Sequence, residues 1–415
     1  MKESIKSQNL LQQLEGTKDP LTELLRKSAR DLFESILKIE IDEYVKEINS
    51  KYQKVIAVRN GYLPERNITT GVGSVSIKQP RVRLKKTEEQ IPEFSSTILP
   101  RYLRRTPTVD ESIPYLYLYG ISTNNFNEAL SVLLGRDVSG LSSTNIVRLK
   151  ESWFSEYQAW RKQDLTGKRY VYMWADGVYF NMRLKQERNC ILVIIGATEE
   201  GKKEVLAIEA GHRESTISLE NLLLSLKDRG LGEAPSLAIG DGTLGFWSAL
   251  SKIYPTTKQQ RCWVHKTANV LDKLPKRLQP EVKHLLHDIY NSDTKKHAEE
   301  SFDRFLEVYS IKYPSATRCL QRDREELLNF YSFPAEHWLH IRTTNPIEST
   351  FSTVRQRMNS TKGCGDVNTT VAMVYKLMMN ASKRWKKLNA KERLAEVIDI
   401  RWMFVDGIKT RAIAA

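Results

Sequence analysis

The sequence predicts a mixed α/β protein whose sheet domain is interrupted by helices. Apolar runs without a helical period indicate four consecutive strands, at 170–176, 178–184, 190–197 and 205–209. Helices and strands then alternate, at 215–227, 236–241, 247–253 and 257–264. Residues 266–340 are almost wholly helical in pattern, and one more helix follows them. Antiparallel strands followed by β-α-β alternation are the order of a ribonuclease-H-like sheet, so we expect that fold with a helical insertion.

These patterns divide the chain into five predicted regions. The sheet domain has a first part, 166–270, and a last part, 341–415, which carries basic C-terminal helices. An all-α insertion domain, 271–340, separates the two parts. Two units precede them, a helical region with a small β-hairpin over 1–105 and a helical unit over 106–165.

The first of these units combines an amphipathic stretch with a basic hairpin. Apolar residues recur at steps of three and four from Pro20 to Ile48, which predicts one long helix or two short ones. Their apolar face is either core or a dimer seam. Residues 60–83 are rich in Gly, Thr, Val and Ile, which predicts a hairpin with Arg81 and Arg83 on one side. The region therefore suits DNA binding or dimerisation.

Residues 107–150 are predicted to form three short helices. The breaks fall at 120–122 and 135–142, where Ser122 and Ser142 are candidate N-caps. The last helix begins with small polar residues and carries basic ones, as DNA-recognition helices do. The unit is either a DNA-binding helix-turn-helix or a plain three-helix packing unit.

The net charge of +14 over 415 residues is concentrated at the two ends of the chain. Residues 51–86 hold nine Lys or Arg against the single Glu65, which suits the DNA backbone, although ordinary solvated charge gives the same pattern. Four scattered cysteines without CxxC spacing argue against a disulfide framework. Long apolar segments and a signal-peptide pattern are lacking. We expect a cytoplasmic, nucleoid-associated protein.

Three acidic residues are the candidate catalytic and metal-binding groups. Asp176 and Asp241 each end an apolar strand pattern, where ligands collect in α/β sheets, and Glu348 lies on the helix after the insertion. Phosphodiester chemistry can use two divalent cations about 3.5–4 Å apart, and Mg²⁺ binds through few carboxylates. The set predicts two Mg²⁺ ions per site, with Mn²⁺ as a substitute, and makes the sheet domain catalytic.

Each acidic residue also has a purely structural interpretation. Asp176 and Asp241 precede glycines and could be turn residues. Asn345, Pro346 and Glu348 fit the N-cap, N1 and N3 positions of a helix, so Glu348 could be a capping residue.

Cys262 and His265 form a C-x-x-H pair at the last predicted strand. Zinc would need two more ligands, and no other cysteine supplies a partner pair. The sequence favours a strand-to-helix turn with His265 near a scissile phosphate, ahead of a buried core histidine. The candidate DNA contacts are basic residues, namely Arg81, Arg83, Arg148, Lys150, Lys266, Arg342, Arg355 and Arg357.

Specific stretches along nearly the whole chain complete the sequence picture. They are RNGY at 59–62 with QPRVR at 79–83, ADG at 175–177, GDGTLGF at 240–246, QRCWVH at 260–265 with KLPK at 273–276, and TTNPIES at 343–349. Together they resemble the bacterial insertion-sequence branch of the Mutator-like transposases, a group of DDE enzymes. The resemblance implies that Asp176, Asp241 and Glu348 are the DDE triad and that Cys262 and His265 are the family's C-x-x-H signature.

The resemblance also implies a reaction. The substrate would be the terminal inverted repeats of the element that encodes the protein. Water would cut one strand to release a 3′ hydroxyl, which would attack the other end or target DNA. Because two ends must be held at once, we expect a homodimer on paired ends. Two alternatives stay open: a DNA-binding regulator without catalysis, and a nuclease or resolvase that cuts but does not join strands.

Overall fold

The computed structural model describes residues 19–85, 91–121, 126–134, 143–181, 188–211, 216–242, 244–360 and 366–412. The chain divides into two compact units, Met1–Val147 and Arg148–Ala415. Ser122 and Ser142, the two predicted N-caps, lie outside the described residues. No helix in the described part of the chain is both long and apolar enough to cross a membrane.

The first unit begins with one long helix, α1 (Pro20–Lys51). The Asp19 carboxylate caps it by accepting a hydrogen bond from the Thr22 amide at 3.1 Å. The predicted apolar stretch is therefore a single helix. Part of its apolar surface is buried, at Leu37, Ile41 and Ile48.

Four short strands follow α1, as β1 (Ala57–Tyr62), β2 (Arg66–Thr70), β3 (Gly73–Ile77) and β4 (Pro80–Leu84). Two antiparallel pairs form, β2 with β3 and β1 with β4. The prediction of a single hairpin over 60–83 is wrong in extent. The strands β2 and β3 form an inner hairpin, and β4 then pairs with β1. Arg81 and Arg83 are both exposed on β4, as the alternation of a strand predicts.

Three helices come next, α2 (Pro107–Leu118), α3 (Phe126–Leu134) and α4 (Ser143–Trp160). The number of helices agrees with the prediction, but α4 continues ten residues beyond Lys150. Its extension is held by apolar packing, since Trp153 and Tyr157 are buried. A helix-turn-helix role for this segment stays a prediction.

The second unit contains a five-stranded mixed sheet. Its strands are β5 (Tyr170–Asn181), β6 (Arg188–Thr198), β7 (Lys203–Gly211), β8 (Leu237–Gly240) and β9 (Lys258–Arg261). The strand order is β7-β6-β5-β8-β9. The first three strands are antiparallel, and β8 is parallel to both β5 and β9.

The predicted strands 170–176 and 178–184 fall on one strand up to Asn181, so the prediction of a break at Asp176-Gly177 is wrong, and residues 182–184 lie outside the described residues. β5 pairs with β6 without interruption from Tyr172 to Asn181. Position 177 suits a glycine, because the Cys190 sulfur lies 2.7 Å from where a Cβ would be. Backbone pairing therefore outweighs the local turn signal.

Two helices pack one face of the sheet, α5 (Thr216–Asp228) and α6 (Leu244–Ile253). Leu219, Leu223 and Leu226 of α5 share a buried cluster with Met173 and Ala175 of β5. Trp174, which alternates with these strand residues, instead donates from its indole N–H to the His340 carbonyl at 3.0 Å. The two faces of β5 thus serve different neighbours.

The segment after β9 is helical, as predicted. It contains α7 (Trp263–Leu271), α8 (Gln279–Asn291), α9 (Lys295–Tyr309), α10 (Pro314–Gln321), α11 (Arg324–Leu328) and α12 (Trp338–Ile341). The predicted strand over 257–264 is shorter than expected, because the chain enters α7 at Trp263.

The chain ends with three helices and a hairpin. They are α13 (Asn345–Ser360), α14 (Val367–Ser382), α15 (Leu394–Ile398), β10 (Trp402–Val405) and β11 (Ile408–Arg411). The predicted helices are present, and the hairpin of β10 and β11 was not predicted. Asp406 and Gly407 connect the last two strands with positive φ angles of 49° and 77°, the conformation that two-residue hairpin turns require.

Gly230 ends α5 and provides a test of this fold. Its φ is +100°, and an added Cβ would lie 2.3 Å from the Thr166 hydroxyl oxygen. The Gly230 amide donates to the Lys227 carbonyl and the Leu231 amide to the Leu226 carbonyl, which is a Schellman motif. We expect Gly230→Ala to lower the free energy of unfolding by about 1–3 kcal/mol in urea denaturation.

Gly232→Ala is the matched control, because a Cβ there meets nothing within 4 Å. It should change stability by less than about 0.5 kcal/mol. Equal losses in the two variants would contradict this account of the helix end.

Candidate functional site

The pairing of β5 with β8 places two acidic residues side by side. The parallel register ends with Ala175 opposite Gly240, and the next residues on the two strands are Asp176 and Asp241. Asp241 directly follows β8, as predicted. Asp176 is instead in the middle of β5, where β6 continues to support the backbone through the Asp176–Val193 pair.

Glu348 lies in the first turn of α13, which packs against β5. The predicted N-cap at Asn345 is wrong by one residue: the helix begins at Asn345, and the Glu348 amide donates to the Thr344 carbonyl at 3.1 Å. The Glu348 carboxylate accepts the Thr344 hydroxyl at 2.9 Å. The Glu348 carboxylate therefore contacts the side chain of Thr344, the residue before the helix.

Thr344 connects three functional groups. Its amide donates to the Cys262 sulfur at 3.3 Å, and its hydroxyl lies 3.3 Å from the same sulfur and 3.4 Å from His265 Nδ1. Because that hydroxyl also donates to Glu348, one side chain links the C-x-x-H turn to the acidic helix. Cys262 and Thr344 are both buried, so this network is shielded from solvent.

His265 lies in the first turn of α7, with Nδ1 3.7 Å from Glu348 Oε1. The C-x-x-H pair therefore forms the predicted strand-to-helix turn beside the acidic residues. Ligand atoms of Cys262, His265 and Glu348 fall within 4.8 Å of one another. A metal shared by these three would have to displace the Thr344 hydroxyl, which contacts all of them.

The site combines opposing charges in a poorly solvated place. Burial raises the pKa of Asp176 to about 6, against the attraction of His265 and with the repulsion of Glu348 and Asp241. Burial opposes the charge of His265, but contact with Cys262 and the fields of Asp241 and Asp176 raise its pKa to about 9. Asp176 thus shares an electrostatic environment with both other acidic residues.

The donor set fits a divalent cation. Asp176 Oδ1 accepts the Gly177 amide at 2.8 Å, whereas Oδ2 is buried without a hydrogen-bond partner among the described residues. A buried carboxylate oxygen without a partner is costly, and a bound cation would satisfy it. Nearby carboxylate oxygens are the ligands that Mg²⁺ prefers.

A cavity of about 240 Å³ opens at the site. Asp176, Asp241, His265 and Arg355 line its polar side, and Leu219 and Phe246 are part of its apolar side. Arg355 is exposed and lies two helical turns after Glu348 on α13. An anion entering the cavity would therefore meet an exposed arginine beside the acidic cluster.

The other predicted DNA contacts separate into two groups. Arg148 is exposed and Lys150 half-buried on α4, so both remain candidates. Two predictions, Lys266 and Arg357, are wrong for a surface contact, and the contact predicted for Arg342 stays a prediction. Lys266 is fully buried, where its ammonium pairs with Asp323 and donates to the Cys319 carbonyl at 2.8 Å. Arg357 is buried, and the half-buried Arg342 donates to the Tyr290 carbonyl at 2.8 Å while its guanidinium lies over the Tyr290 ring.

Three residues around the site were not predicted from the sequence, namely Arg261, Asp323 and Thr344. Arg261 Nη2 lies 3.5 Å from Asp241 Oδ1, and Arg261 also pairs with Asp323. Arg261 and Thr344 fall inside the stretches QRCWVH and TTNPIES, which was the available signal. Asp323 is in a helical region without such a signal.

Comparison with known proteins gives consistent similarities. The family described as "Transposase, Mutator family" matches residues 1–388. The transposase for insertion sequence element IS6120 of Mycolicibacterium smegmatis is 46% identical over 289 residues, which cover 70% of this chain and 89% of that protein. The transposase for element IST2 of Acidithiobacillus ferrooxidans is 46% identical over 288 residues, covering 68% and 95%. The transposase for IS256 in transposon Tn4001 of Staphylococcus aureus is 27% identical over 354 residues, covering 84% and 85%.

The charge of His265 predicts a pH dependence of stability. Because its pKa rises from 6.5 to about 9 in the fold, its contribution is complete below pH 6.5 and is lost as pH rises through 9. In metal-free protein we expect the free energy of unfolding to fall between pH 6.5 and pH 9, as measured by urea denaturation. His265→Gln should flatten this fall.

His284→Gln is the matched control, since the His284 side chain is 80% exposed. In this variant the free energy of unfolding should fall with pH as steeply as in the wild-type protein. An equally steep fall of the unfolding free energy with pH in His265→Gln would contradict a charged histidine at this site.

Proposed function

The chain belongs to the Mutator family of transposases, and from this premise we propose that it cleaves and joins DNA at the ends of its own insertion sequence. The substrate would be the terminal inverted repeats of that element. The observation that carries the proposal is the parallel register that ends at Ala175 and Gly240 and places Asp176 beside Asp241. Glu348 completes the acidic set from α13.

The sheet supports a ribonuclease-H-like assignment for the catalytic core. Three antiparallel strands are followed by two parallel ones, in the order β7-β6-β5-β8-β9. The helices from α7 to α12 would then be the insertion domain, and α13 would be the last helix of the core. This arrangement explains why Glu348 is separated from Asp241 by about a hundred residues of chain yet shares its electrostatic environment.

Asp176, Asp241 and Glu348 would hold divalent cations, with Mg²⁺ as the expected ion and Mn²⁺ as a substitute. When bound, two such ions supply activation of the attacking oxygen and stabilisation of the leaving 3′ oxygen. The protein itself contributes fixed ligands, because Asp176 is paired with β6 and directly follows the last residue of β5 that pairs with β8. Fixed ligands reduce the reorganisation needed during reaction.

Two cationic side chains would act on the phosphate. His265 is held within 3.7 Å of Glu348 and lines the cavity together with Arg355. Their positive charges would attract and orient the scissile phosphodiester, which the acidic residues alone would repel. Arg81, Arg83 and Arg148 are exposed and would contact DNA away from the cut.

The acidic residues provide the central test. We expect Asp176→Asn, Asp241→Asn and Glu348→Gln each to bind end DNA with unchanged affinity but to lower the rate of Mg²⁺-dependent nicking on the order of a thousandfold. Nicking is measured on labelled inverted-repeat duplexes, and binding by gel shift. The exposed Asp272, at the end of α7, gives the control variant Asp272→Asn, which should nick normally.

Full activity in all three site variants would overturn the proposed role of the triad. A strand-transfer assay with a pre-cut end separates the alternatives. Joined product supports a transposase, cutting without joining supports a nuclease or resolvase, and a specific footprint without cleavage in any divalent metal supports a regulator.

The helix α1 has an exposed apolar stripe that would serve dimerisation on paired ends. Leu21, Leu25, Leu32 and Ile39 are exposed by 66%, 45%, 61% and 56%, and their spacing of four, seven and seven residues keeps them on one side of the helix. In a single chain such a stripe is unsatisfied, so a second copy is the fitting partner.

We expect Leu25→Glu/Leu32→Glu to halve the protein mass bound to paired-end DNA, as measured by light scattering after size exclusion. Glutamate keeps the helix propensity but adds charge to the seam. Ile311→Glu is the control, because Ile311 is 93% exposed on another part of the chain. A wild-type protein that stays monomeric on paired ends would contradict the proposed dimer.

A further inference from the structure

Arg261 is an unusual neighbour for a metal-binding aspartate. It ends β9, where the register places it opposite Gly240, and its side chain is only 4% exposed. Arg261 Nη2 lies 3.5 Å from Asp241 Oδ1. A buried cation at this distance competes with a metal ion for the same carboxylate.

The guanidinium is fixed against the backbone that follows Asp241. A Cβ at Gly242 would lie 0.7 Å from Arg261 Nη1 and 1.6 Å from Cζ. Any side chain at position 242 would overlap the Arg261 guanidinium, so a glycine at this position is required for Arg261 to lie beside Asp241. The position of Arg261 is therefore built into the fold.

A second carboxylate, that of Asp323, also pairs with Arg261. Arg261 Nε lies 3.1 Å from Asp323 Oδ2, as an ion pair without hydrogen-bond geometry. Asp323 lies between α10 and α11, in the helical segment after β9. The same carboxylate pairs with the buried ammonium of Lys266 and, at 3.1 Å, with Arg322.

These contacts give Asp323 a role toward Asp241. Arg261 is closer to Asp323 than to Asp241, by 3.1 Å against 3.5 Å. If Asp323 were uncharged, the whole attraction of Arg261 would fall on Asp241, because a buried cation must keep a counter-ion. Lys266 is fully buried, and its ammonium pairs with the same Asp323 oxygen as Arg261 does.

We propose that Asp323 is a positioning residue of the active site, which holds the Arg261 guanidinium back from Asp241 and so keeps the Asp241 carboxylate available to a divalent cation. The inference rests on the proposed function, since it takes Asp241 as a metal ligand. It makes the helical insertion part of the catalytic machinery through a chain of two ion pairs.

The test measures Mn²⁺ binding by calorimetry, which does not require cleavage. Asp323→Asn/Lys266→Met removes one charge of each sign and leaves Arg261 without its counter-ion. We expect this double variant to bind Mn²⁺ about tenfold more weakly than wild type. Adding Arg261→Gln should restore the affinity to within about twofold, because the competitor is gone.

Lys266→Met alone is the matched control, because Asp323 then still holds Arg261. It should bind Mn²⁺ as wild type does. Three results would overturn the proposal: equal weakening in Lys266→Met, no rescue by Arg261→Gln, or wild-type binding that does not depend on Asp241. A merely structural role for Asp323 would not be rescued by deleting a third residue.

If the double variant does not fold, as judged by circular dichroism and melting, Arg261→Gln alone decides the matter. Removing the competitor should leave Mn²⁺ binding at least as tight as in wild type, and a tenfold loss would overturn the proposal. A wild-type chain that binds Mn²⁺ through Asp241 but never cuts end DNA would reject the proposed function while leaving the role of Asp323 intact.

Discussion

The backbone pairing of β8 with its two neighbours is the constraint on which the site depends. On one side, β8 aligns with β5 up to Gly240 and brings Asp176 beside Asp241. On the other side, the pairing of Gly240 with Arg261 fixes where the chain leaves β9 and enters the Cys262 turn. Hydrogen-bonded strands move little relative to each other, so a short four-residue strand sets the positions of several side chains at once.

Glu348 is attached to this framework by side chains and by helix packing. Thr344 links it to Cys262, which in turn donates its amide to the Gly240 carbonyl at 2.9 Å. The same small volume holds acidic groups that repel and His265 that attracts them. A cation would relieve the repulsion, and we infer that the metal-free site is the less favourable state.

The secondary structure was predictable where a periodic pattern decided it. The helical run after β9 follows from apolar spacing, and the single long helix α1 is one of the two forms that its spacing allowed. The break at Asp176-Gly177 was predicted wrongly because a local turn signal could not compete with eleven paired positions along β6. The C-terminal hairpin was missed although Asp406-Gly407 is a turn signal, because the strands on either side are only four residues long.

Asp241 and Glu348 lie where the sequence patterns put them, directly after β8 and in the first turn of α13, whereas Asp176 lies within β5. The basic residues could not be sorted in the same way. Lys266 and Arg357 are buried, while Arg355, on the same helix as Arg357, is exposed. Asp323 and Thr344 act through partners 57 to 82 positions away, and such distances leave no local pattern.

The two ends of the helical segment after β9 meet beside the site. The Trp263 amide donates to the Arg342 carbonyl at 3.0 Å, and Thr344 contacts Cys262 across 82 positions. A segment whose ends are joined in this way can change in length at small entropic cost. Evolution could therefore exchange or enlarge the outer helices without moving His265 from Glu348, provided that the Arg261–Asp323 ion pair is kept.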